Sequence, residues 1–237
     1  MNIEGKNVVF EAVKSGIEIE TLLVEKGQNH QLIALARKNK VKIQFVEKAA
    51  LDRISETGKH QGFIAKTTDF TYSELDEVIQ IAQENGEKIF IVLLDGIEDP
   101  HNLGSILRVC ECAGVTCAVI PKNRSVSVNE TVIRTSAGAA AHVKVCKEVS
   151  INNAIEFLKS KNVWIYCADS DGEDIYKTDL TGNIAIVIGG EGLGVKRLTK
   201  ELCDKTVSLP LLGKVNSLNA SVACGIVVYE ALRQRFK

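Results

Sequence analysis

Residues 89–95 read IFIVLLD: six apolar side chains in a row, then one carboxylate. A strand wet on one side alternates polar and apolar residues. An unbroken apolar run marks a strand covered on both faces. Similar runs return in TCAVIP (116–121), VWIYCAD (163–169) and NIAIVIGG (183–190). Helical segments lie between them: NLGSILRVCECAG from 102, NETVIRTSAGAA from 129 and INNAIEFLKSKN from 151. Strands alternating with helices predict a mainly parallel α/β sheet. HVKVCK (142–147) and TVSLPL (206–211) add two shorter strands. A final apolar helix is expected from near Ser217, with Ser217 as its N-cap.

A smaller α/β unit precedes this one. Residues 5–15 have helical spacing and stop at Gly16; IETLLVE (19–25) reads as a strand and NHQLIALARKNK (29–40) as a helix with a basic last turn. VKIQFVE, KAALDRIS and QGFIAKT follow as strand, short helix and strand. The expected division is a small domain over 1–67, a linker and leading helix over 68–87, and a larger domain over 88–237. In the leading helix Ser73 is the expected N-cap and Asp76 lies in the first turn.

The 237 residues are 45% hydrophobic and 25% charged, enough to bury a substantial core. Net charge is −1, so no global excess announces nucleic acid, but residues 1–67 hold 11 Lys and Arg against 8 Asp and Glu. The first residues lack a basic region followed by a long apolar run, and no apolar stretch approaches a membrane-spanning length, so a cytoplasmic protein without a membrane partner is expected. The seven cysteines have no CxxC spacing and read as reduced core residues. Histidines 30, 60, 101 and 142 do not pair with them at ligand spacing, so no metal site is expected.

Ligands of parallel sheets bind outside the carboxyl ends of the strands. Three polar clusters fall there. DGIEDPHNLGSILR (95–108) groups Asp95, Asp99, Asn102 and Arg108. IVIGGEGLGV (186–195) runs a buried strand into four glycines, which let the backbone approach a ligand closely. It is neither a P-loop, since Val195 and Lys196 follow Gly194 where Lys and Ser or Thr are required, nor a GxGxxG dinucleotide fingerprint. A neutral or zwitterionic cofactor therefore suits it better than a phosphate. LPLLGKVNSLNASVA (209–223) bends at Gly213 and gathers Asn216, Ser217 and Asn219 before the last helix.

These three stretches resemble, in order and spacing, the three signature motifs of the SpoU/TrmH RNA 2′-O-ribose methyltransferases. IEGKNVVFEAVKSG, GKHQGFIA (58–65) and SLNASVACGIVVYEALRQR look most like the bacterial 23S rRNA guanosine-2′-O-methyltransferase subgroup. The resemblance implies a small L30e-like N-terminal domain and a SPOUT domain with a parallel sheet and a C-terminal deep trefoil knot. It implies S-adenosylmethionine as cofactor, RNA as partner, and a homodimer through the knot region and last helix. By motif match, Asn102, Arg108, Glu191, Ser217 and Asn219 are the implied catalytic residues. Gly189, Gly190, Leu209, Leu211, Gly213, Ser217 and Leu218 are the implied cofactor-binding positions. Lys6, Asn7, Arg53, Lys59, His60 and Gln61 are candidate RNA contacts. SAGAAAHVKV (136–145) departs from the pattern, with Ala141 and Lys144 where relatives often carry Glu and Pro.

The implied reaction is attack of a ribose 2′-oxygen on a sulfonium methyl group. Arginine is always protonated, so Arg108 suits a phosphate or a developing oxyanion better than general-base work. His101 is the rival base. Ser217 and Asn219 would position the reactants. Phe10, Phe45 and Phe63 are expected to pack inside the small domain, leaving RNA recognition there to phosphate charge and shape. A tRNA ribose is the alternative substrate. A non-catalytic RNA binder would be expected to lack Arg108, Glu191 or Asn219, and the failed fingerprint argues against a nucleotide-dependent oxidoreductase.

Overall fold

A computed structural model of the chain describes every residue except Gly16, Thr68, Asp69, Leu193 and Lys237. The expected helix stop at Gly16 and linker start at Thr68 fall outside the described residues.

The N-terminal sheet is built in chain order from β1 (Asn2–Glu4), α1 (Lys6–Lys14), β2 (Ile19–Glu25), α2 (Gln31–Lys38), β3 (Ile43–Val46), α3 (Lys48–Ile54) and β4 (Phe63–Thr67). The strand order β1-β4-β2-β3 is mixed: β4 runs antiparallel to both neighbours and β2 parallel to β3. Leu22, Val24, Leu32 and Phe63 are fully buried on it, each contributing about 1.5–3 kcal/mol. Phe45, expected inside, is 43% exposed, because β3 is the edge strand and turns this ring outward. The buried Glu4 carboxylate accepts hydrogen bonds from Thr57 Oγ1 (2.9 Å), the Glu56 amide (2.9 Å) and Ser55 Oγ. Burial pushes its pKa up, but these bonds outweigh burial and hold it below the usual range. The loop after α3 is thereby pinned to the first strand.

The candidate RNA contacts surround that loop. Asn7, Arg53, Lys59 and Gln61 are exposed and Lys6 is half-buried. Gln61 Oε1 accepts the Lys6 amide hydrogen at 3.0 Å, so this side chain caps α1. His60 is not a surface contact: it is 4% exposed, its Nδ1 accepts from the Gly62 amide (3.0 Å), and its Nε2 donates to Asp52 (2.9 Å).

The second unit begins with α4 (Leu75–Glu84), β5 (Phe90–Asp95), α5 (Pro100–Cys112), β6 (Cys117–Pro121) and α6 (Glu130–Thr135). It continues with β7 (Val145–Glu148), α7 (Ile151–Ser160), β8 (Trp164–Asp174), β9 (Ile184–Gly189), α8 (Arg197–Leu202), β10 (Lys205–Ser208) and α9 (Ala220–Arg235). Every pairing in the order β10-β8-β9-β5-β6-β7 is parallel, and β5, near the centre, is buried at every position. The carboxyl ends Asp95, Pro121, Glu148 and Gly189 therefore share one edge. A buried cluster containing Ile3 and Val9 as well as Ile133 and Ala140 joins the two units.

Several elements differ from expectation for visible reasons. Ser73 does not cap α4, whose N-cap is Glu74; the Ser73 amide is spent on the Val145 carbonyl of β7 (2.9 Å). The helix expected over 129–140 breaks after Thr135, where Ala137 and Gly138 take positive φ, and resumes as a 3-10 turn at Ala139–Ala141. β8 runs on to Asp174, because β10 pairs with it past a bulge, Val207 against Glu173. The strand before Pro210 stops at Ser208. Five of the seven cysteines are buried, Cys203 is half-buried and Cys112 exposed; all are free thiols. Among the described residues no helix is long and apolar enough to cross a membrane.

Candidate active site

The carboxyl edge of β8 and β9, the loop after β10 and the start of α9 enclose a cavity of about 550 Å³. Gly189, Gly190, Leu209, Leu211, Ser217 and Leu218, all expected there, line it. Gly213 does not: it lies exposed in the loop beyond the cavity wall.

Three distant side chains close into a triangle beside this cavity. The Asn102 amide donates to Glu191 Oε1 at 2.9 Å. The Asn219 amide donates to Asn102 Oδ1 at 2.9 Å and to Glu191 Oε1 at 2.7 Å. Asn219 Oδ1 in turn accepts from Ser221 N (3.0 Å), Ser221 Oγ (2.6 Å) and Val222 N (3.3 Å). Asn219, not Ser217, is thus the N-cap of α9, and one side chain ties the last helix to the other two motifs. Asn102 is 6% exposed and Glu191 is open to solvent. Ser217 is left exposed on the cavity wall, three residues before the helix starts.

The other polar residues of the first motif hold structure. Asp95, 2% exposed, accepts from the Lys196 amide (3.1 Å) and ion-pairs with Lys196 Nζ (2.5 Å). That contact clamps the return of the glycine loop. Asp99 caps α5 by accepting from His101 N at 3.1 Å, which starts the helix at Pro100 rather than at Asn102. His101 is exposed, with Nδ1 3.4 Å from Thr135 Oγ1. Arg108 is exposed in the third turn of α5 and is not brought to the triangle or the cavity.

The glycines answer to backbone packing first. A Cβ on Gly190 would stand 2.0 Å from the Gly96 carbonyl oxygen, and one on Gly189 would stand 2.2 Å from the Gly194 carbonyl carbon. The glycine loop folds back on itself at Gly194 and meets the turn at Gly96 with no room for a side chain.

Sequence reasoning missed one wall of the cavity. Ala168, Asp169 and Ser170 line it from the upper part of β8. Asp169 Oδ2 pairs with Lys200 Nζ at 3.0 Å, and Lys200 also pairs with Asp171 at 2.5 Å. Burial alone would lower the Lys200 pKa, but the two carboxylates raise it. Lys200 comes from α8, a helix too short to leave a periodic pattern in the sequence. The legible signal was the acidic stretch DSDGED (169–174) that closes the apolar run VWIYCA, a fourth polar cluster where a strand was expected to end.

Residues 89–229 match the model of the SpoU rRNA Methylase family. The chain belongs to the SpoU family. Residues 2–73 match the family model for RNA 2′-O ribose methyltransferase substrate binding, so the N-terminal sheet is the RNA substrate-binding domain. A Bacillus subtilis protein named for the TrmH family of tRNA/rRNA methyltransferases is 41% identical over 98% of this chain and 94% of its own length. A 23S rRNA (guanosine-2′-O-)-methyltransferase of Xylella fastidiosa is 38% identical over 98% of this chain and 96% of its own length. Among solved structures, the SpoU methyltransferase AviRb from Streptomyces viridochromogenes, crystallised with S-adenosylmethionine, superposes with a TM-score of 0.85. It covers 100% of this chain and 90% of its own, at 23% identity, a likeness of fold. This SpoU chain is accordingly an RNA 2′-O-ribose methyltransferase with the α/β architecture that its motifs imply.

Proposed function

We propose that this SpoU enzyme methylates the 2′-oxygen of a guanosine ribose in 23S rRNA. The observation that carries the catalytic reading is the Asn102–Glu191–Asn219 triangle at the mouth of the cavity. The cofactor is S-adenosylmethionine, and the cavity suits it. Ile188, Leu209, Leu211 and Val227 offer an apolar wall for a nucleoside, while Asp169, Asn216 and Ser217 offer polar groups for its hydroxyl and amino-acid ends. The cofactor supplies a methyl group already activated by the sulfonium charge.

The chain's own residues then have to place and polarise a weakly acidic hydroxyl. Glu191 spends Oε1 on the two amides, and Oε2 has no hydrogen-bond partner among the described residues. We assign Oε2 to accept the hydrogen bond of the attacking 2′-hydroxyl. Asn102 and Asn219 fix that carboxylate, and Ser217, exposed on the cavity wall, is placed to contact the reactants. Lys6, Asn7, Arg53, Lys59 and Gln61 form the surface offered to RNA phosphates.

The enzyme acts as a homodimer in this reading. Leu212 is 99% exposed, Val215 73% and Val222 50%, and Ile226 and Tyr229 continue the apolar strip along α9. The C-terminal end of that helix is held by its own chain: Gln234 bonds to Thr178 O (3.0 Å) and Arg235 to Ile89 O (3.1 Å). Its free face is therefore available to a second copy. Arg108 borders it, since the adjacent Val109 packs toward Gly225 of α9, so its phosphate- or oxyanion-binding role belongs to the assembled dimer. Sedimentation equilibrium is expected to give twice the 25.8 kDa of one chain, and a single-chain mass at micromolar concentration would remove this part of the reading.

The deep trefoil knot implied by the motifs is part of the same proposal, supported by the match of residues 89–229 to the SpoU family model. Free thiols throughout accord with a cytoplasmic site of action.

The test is methyl transfer from tritiated S-adenosylmethionine to protein-free 23S rRNA and, separately, to bulk tRNA. Label recovered from rRNA in an alkali-stable dinucleotide carrying 2′-O-methylguanosine is the expected result. Label confined to tRNA would establish the second reading, which the name of the 41% identical relative also covers. Absence of label from both would overturn the proposal.

A further inference from the structure

A second cleft, of about 590 Å³, opens where the RNA-binding domain meets the catalytic sheet. From the first domain it takes Met1 and Glu56. From the segment between the domains it takes Phe70 and Tyr72. From the catalytic unit it takes residues 127–131 and Lys147. The cleft is built. The Tyr72 hydroxyl accepts from Val128 N at 3.0 Å, and Lys147 Nζ bonds to Ser127 Oγ at 2.8 Å while lying 4.7 Å above the Tyr72 ring. Phe70 meets Tyr72 edge to face, with centroids 5.0 Å apart. Glu130 takes the Asn2 amide hydrogen on Oε1, and its Oε2 has no partner among the described residues.

The chemistry of this cleft selects its occupant. Glu130 and Glu56 offset the charges of Lys147 and the Met1 ammonium, so the cleft has no excess positive charge to favour a phosphate. An aromatic pair beside a carboxylate is the equipment for an unpaired base: the ring gives a stacking face and the carboxylate accepts N–H groups from the base edge. Guanine presents two adjacent donors, N1–H and N2–H, that a carboxylate can take together. Adenine and uracil present only one donor there beside an acceptor. Burial, with the nearby Glu56 and Glu4 charges, pushes the Glu130 pKa up against the opposing Asn2 hydrogen bond and N-terminal ammonium.

The location fits the same substrate. Lys147 lies on β7 and residues 127–131 follow β6, at the carboxyl edge that also carries the methyl-transfer cavity. From β9 to β7 is three strand spacings, about 14 Å, a span that a few unstacked nucleotides cover.

We propose that this interdomain cleft is a nucleobase subsite, which holds an unpaired guanine of the RNA a few nucleotides from the methylated ribose, stacked on Phe70, which Tyr72 buttresses edge-on, and read by Glu130. The proposal rests on the RNA-methylating reading of the enzyme.

The experiment uses 23S rRNA transcripts carrying 6-thioguanosine, which keeps N1–H and N2–H, irradiated with the full-length enzyme and mapped by mass spectrometry. An adduct on the peptide containing Phe70 and Tyr72 is expected, lowered about tenfold in Glu130→Gln, the discrimination typical of a two-bond base contact. Glu130→Gln keeps the acceptor for Asn2, and its S-adenosylhomocysteine affinity should equal that of the parent, which excludes misfolding as the cause. Adducts elsewhere but not at this peptide overturn the proposal, as does an adduct that Glu130→Gln leaves unchanged. Free 6-thioguanosine monophosphate at the same concentration should give no adduct; an adduct with the mononucleotide alone overturns the assignment to RNA. Methyl transfer is measured on the same transcripts. Transfer without the adduct sinks the subsite alone, whereas the adduct without transfer sinks the methylation reading alone.

Discussion

Replacing Asn219 by alanine is expected to lower single-turnover methyl transfer by roughly two orders of magnitude and to cost about 1–2 kcal/mol of stability. Both effects come from one side chain. Its oxygen caps α9, and its amide holds Asn102 and Glu191. Without it the buried Asn102 oxygen loses its donor and the Glu191 carboxylate loses one of its two anchors, so the hydroxyl acceptor is no longer held at one place. Asn219→Ser separates the two roles. Serine can still accept from the backbone at the helix start, so the urea midpoint should return close to the parent value. It is too short to bridge to Glu191, so methyl transfer should stay low. Equal transfer by the parent, the alanine variant and the serine variant would rule out the triangle as the catalytic centre.

Gly190→Ala is expected to destabilise the protein by about 3 kcal/mol or more, the range of forced overpacking with no flexible neighbour. The new Cβ would meet the backbone oxygen of Gly96 at 2.0 Å, and backbone moves only by dragging β5 and β9 apart. The Gly190 amide also donates to the Asp95 carbonyl at 3.0 Å, so relief of the clash breaks that bond as well. For a chain of this length the thermal midpoint should fall by about 6–12 °C. S-adenosylhomocysteine binding should be lost with it, since the same residue lines the cavity. Gly182→Ala is the control. A Cβ at Gly182 would meet nothing within 4 Å and its φ is not positive, so its midpoint should stay within about 0.5 kcal/mol of the parent. A Gly190→Ala protein as stable as Gly182→Ala would mean that this contact is looser than described.

The parallel sheet was legible because burial on both faces leaves a periodicity signal that survives in one sequence. IFIVLLD and NIAIVIGG fold as read, within a residue or two of their expected ends. What failed were short elements and caps, where neighbours decide between near-equal options. Ser73 and Ser217 are good N-cap residues by chemistry, yet Glu74 and Asn219 occupy those positions: the Ser73 amide is taken by Val145 of β7, and the Asn219 side chain is held by Asn102 and Glu191. His60 looked like a surface contact within a polar run, but its ring turns inward, with Nδ1 accepting from the Gly62 amide and Nε2 bonding to Asp52 of α3. α8 was invisible, being six residues with only one buried position.

For the site, motif order pointed to Asn102, Glu191 and Asn219, and the fold joins them. No periodicity could show that the glycines of the second motif serve a close backbone contact. Nor could any local pattern place Arg108, which lies apart from the cavity of its own chain. Asp169 was missed although the strand-end rule applied to it, because DSDGED (169–174) also reads as an ordinary solvated acidic turn.

The placement of the cavity sets an order on the life of each molecule. All strands of the RNA-binding sheet lie before residue 68, whereas the cavity needs side chains as late as Val227. At ribosomal synthesis rates of about 5–20 residues per second, roughly 10–30 s separate the two. During that interval a nascent chain has the strands of its substrate-binding sheet but no chamber for the methyl donor, and the core that the sheet shares with Ile133 and Ala140 is still incomplete. Each molecule therefore becomes an enzyme only when its last helix is in place, and methyl transfer waits on the final residues to leave the ribosome.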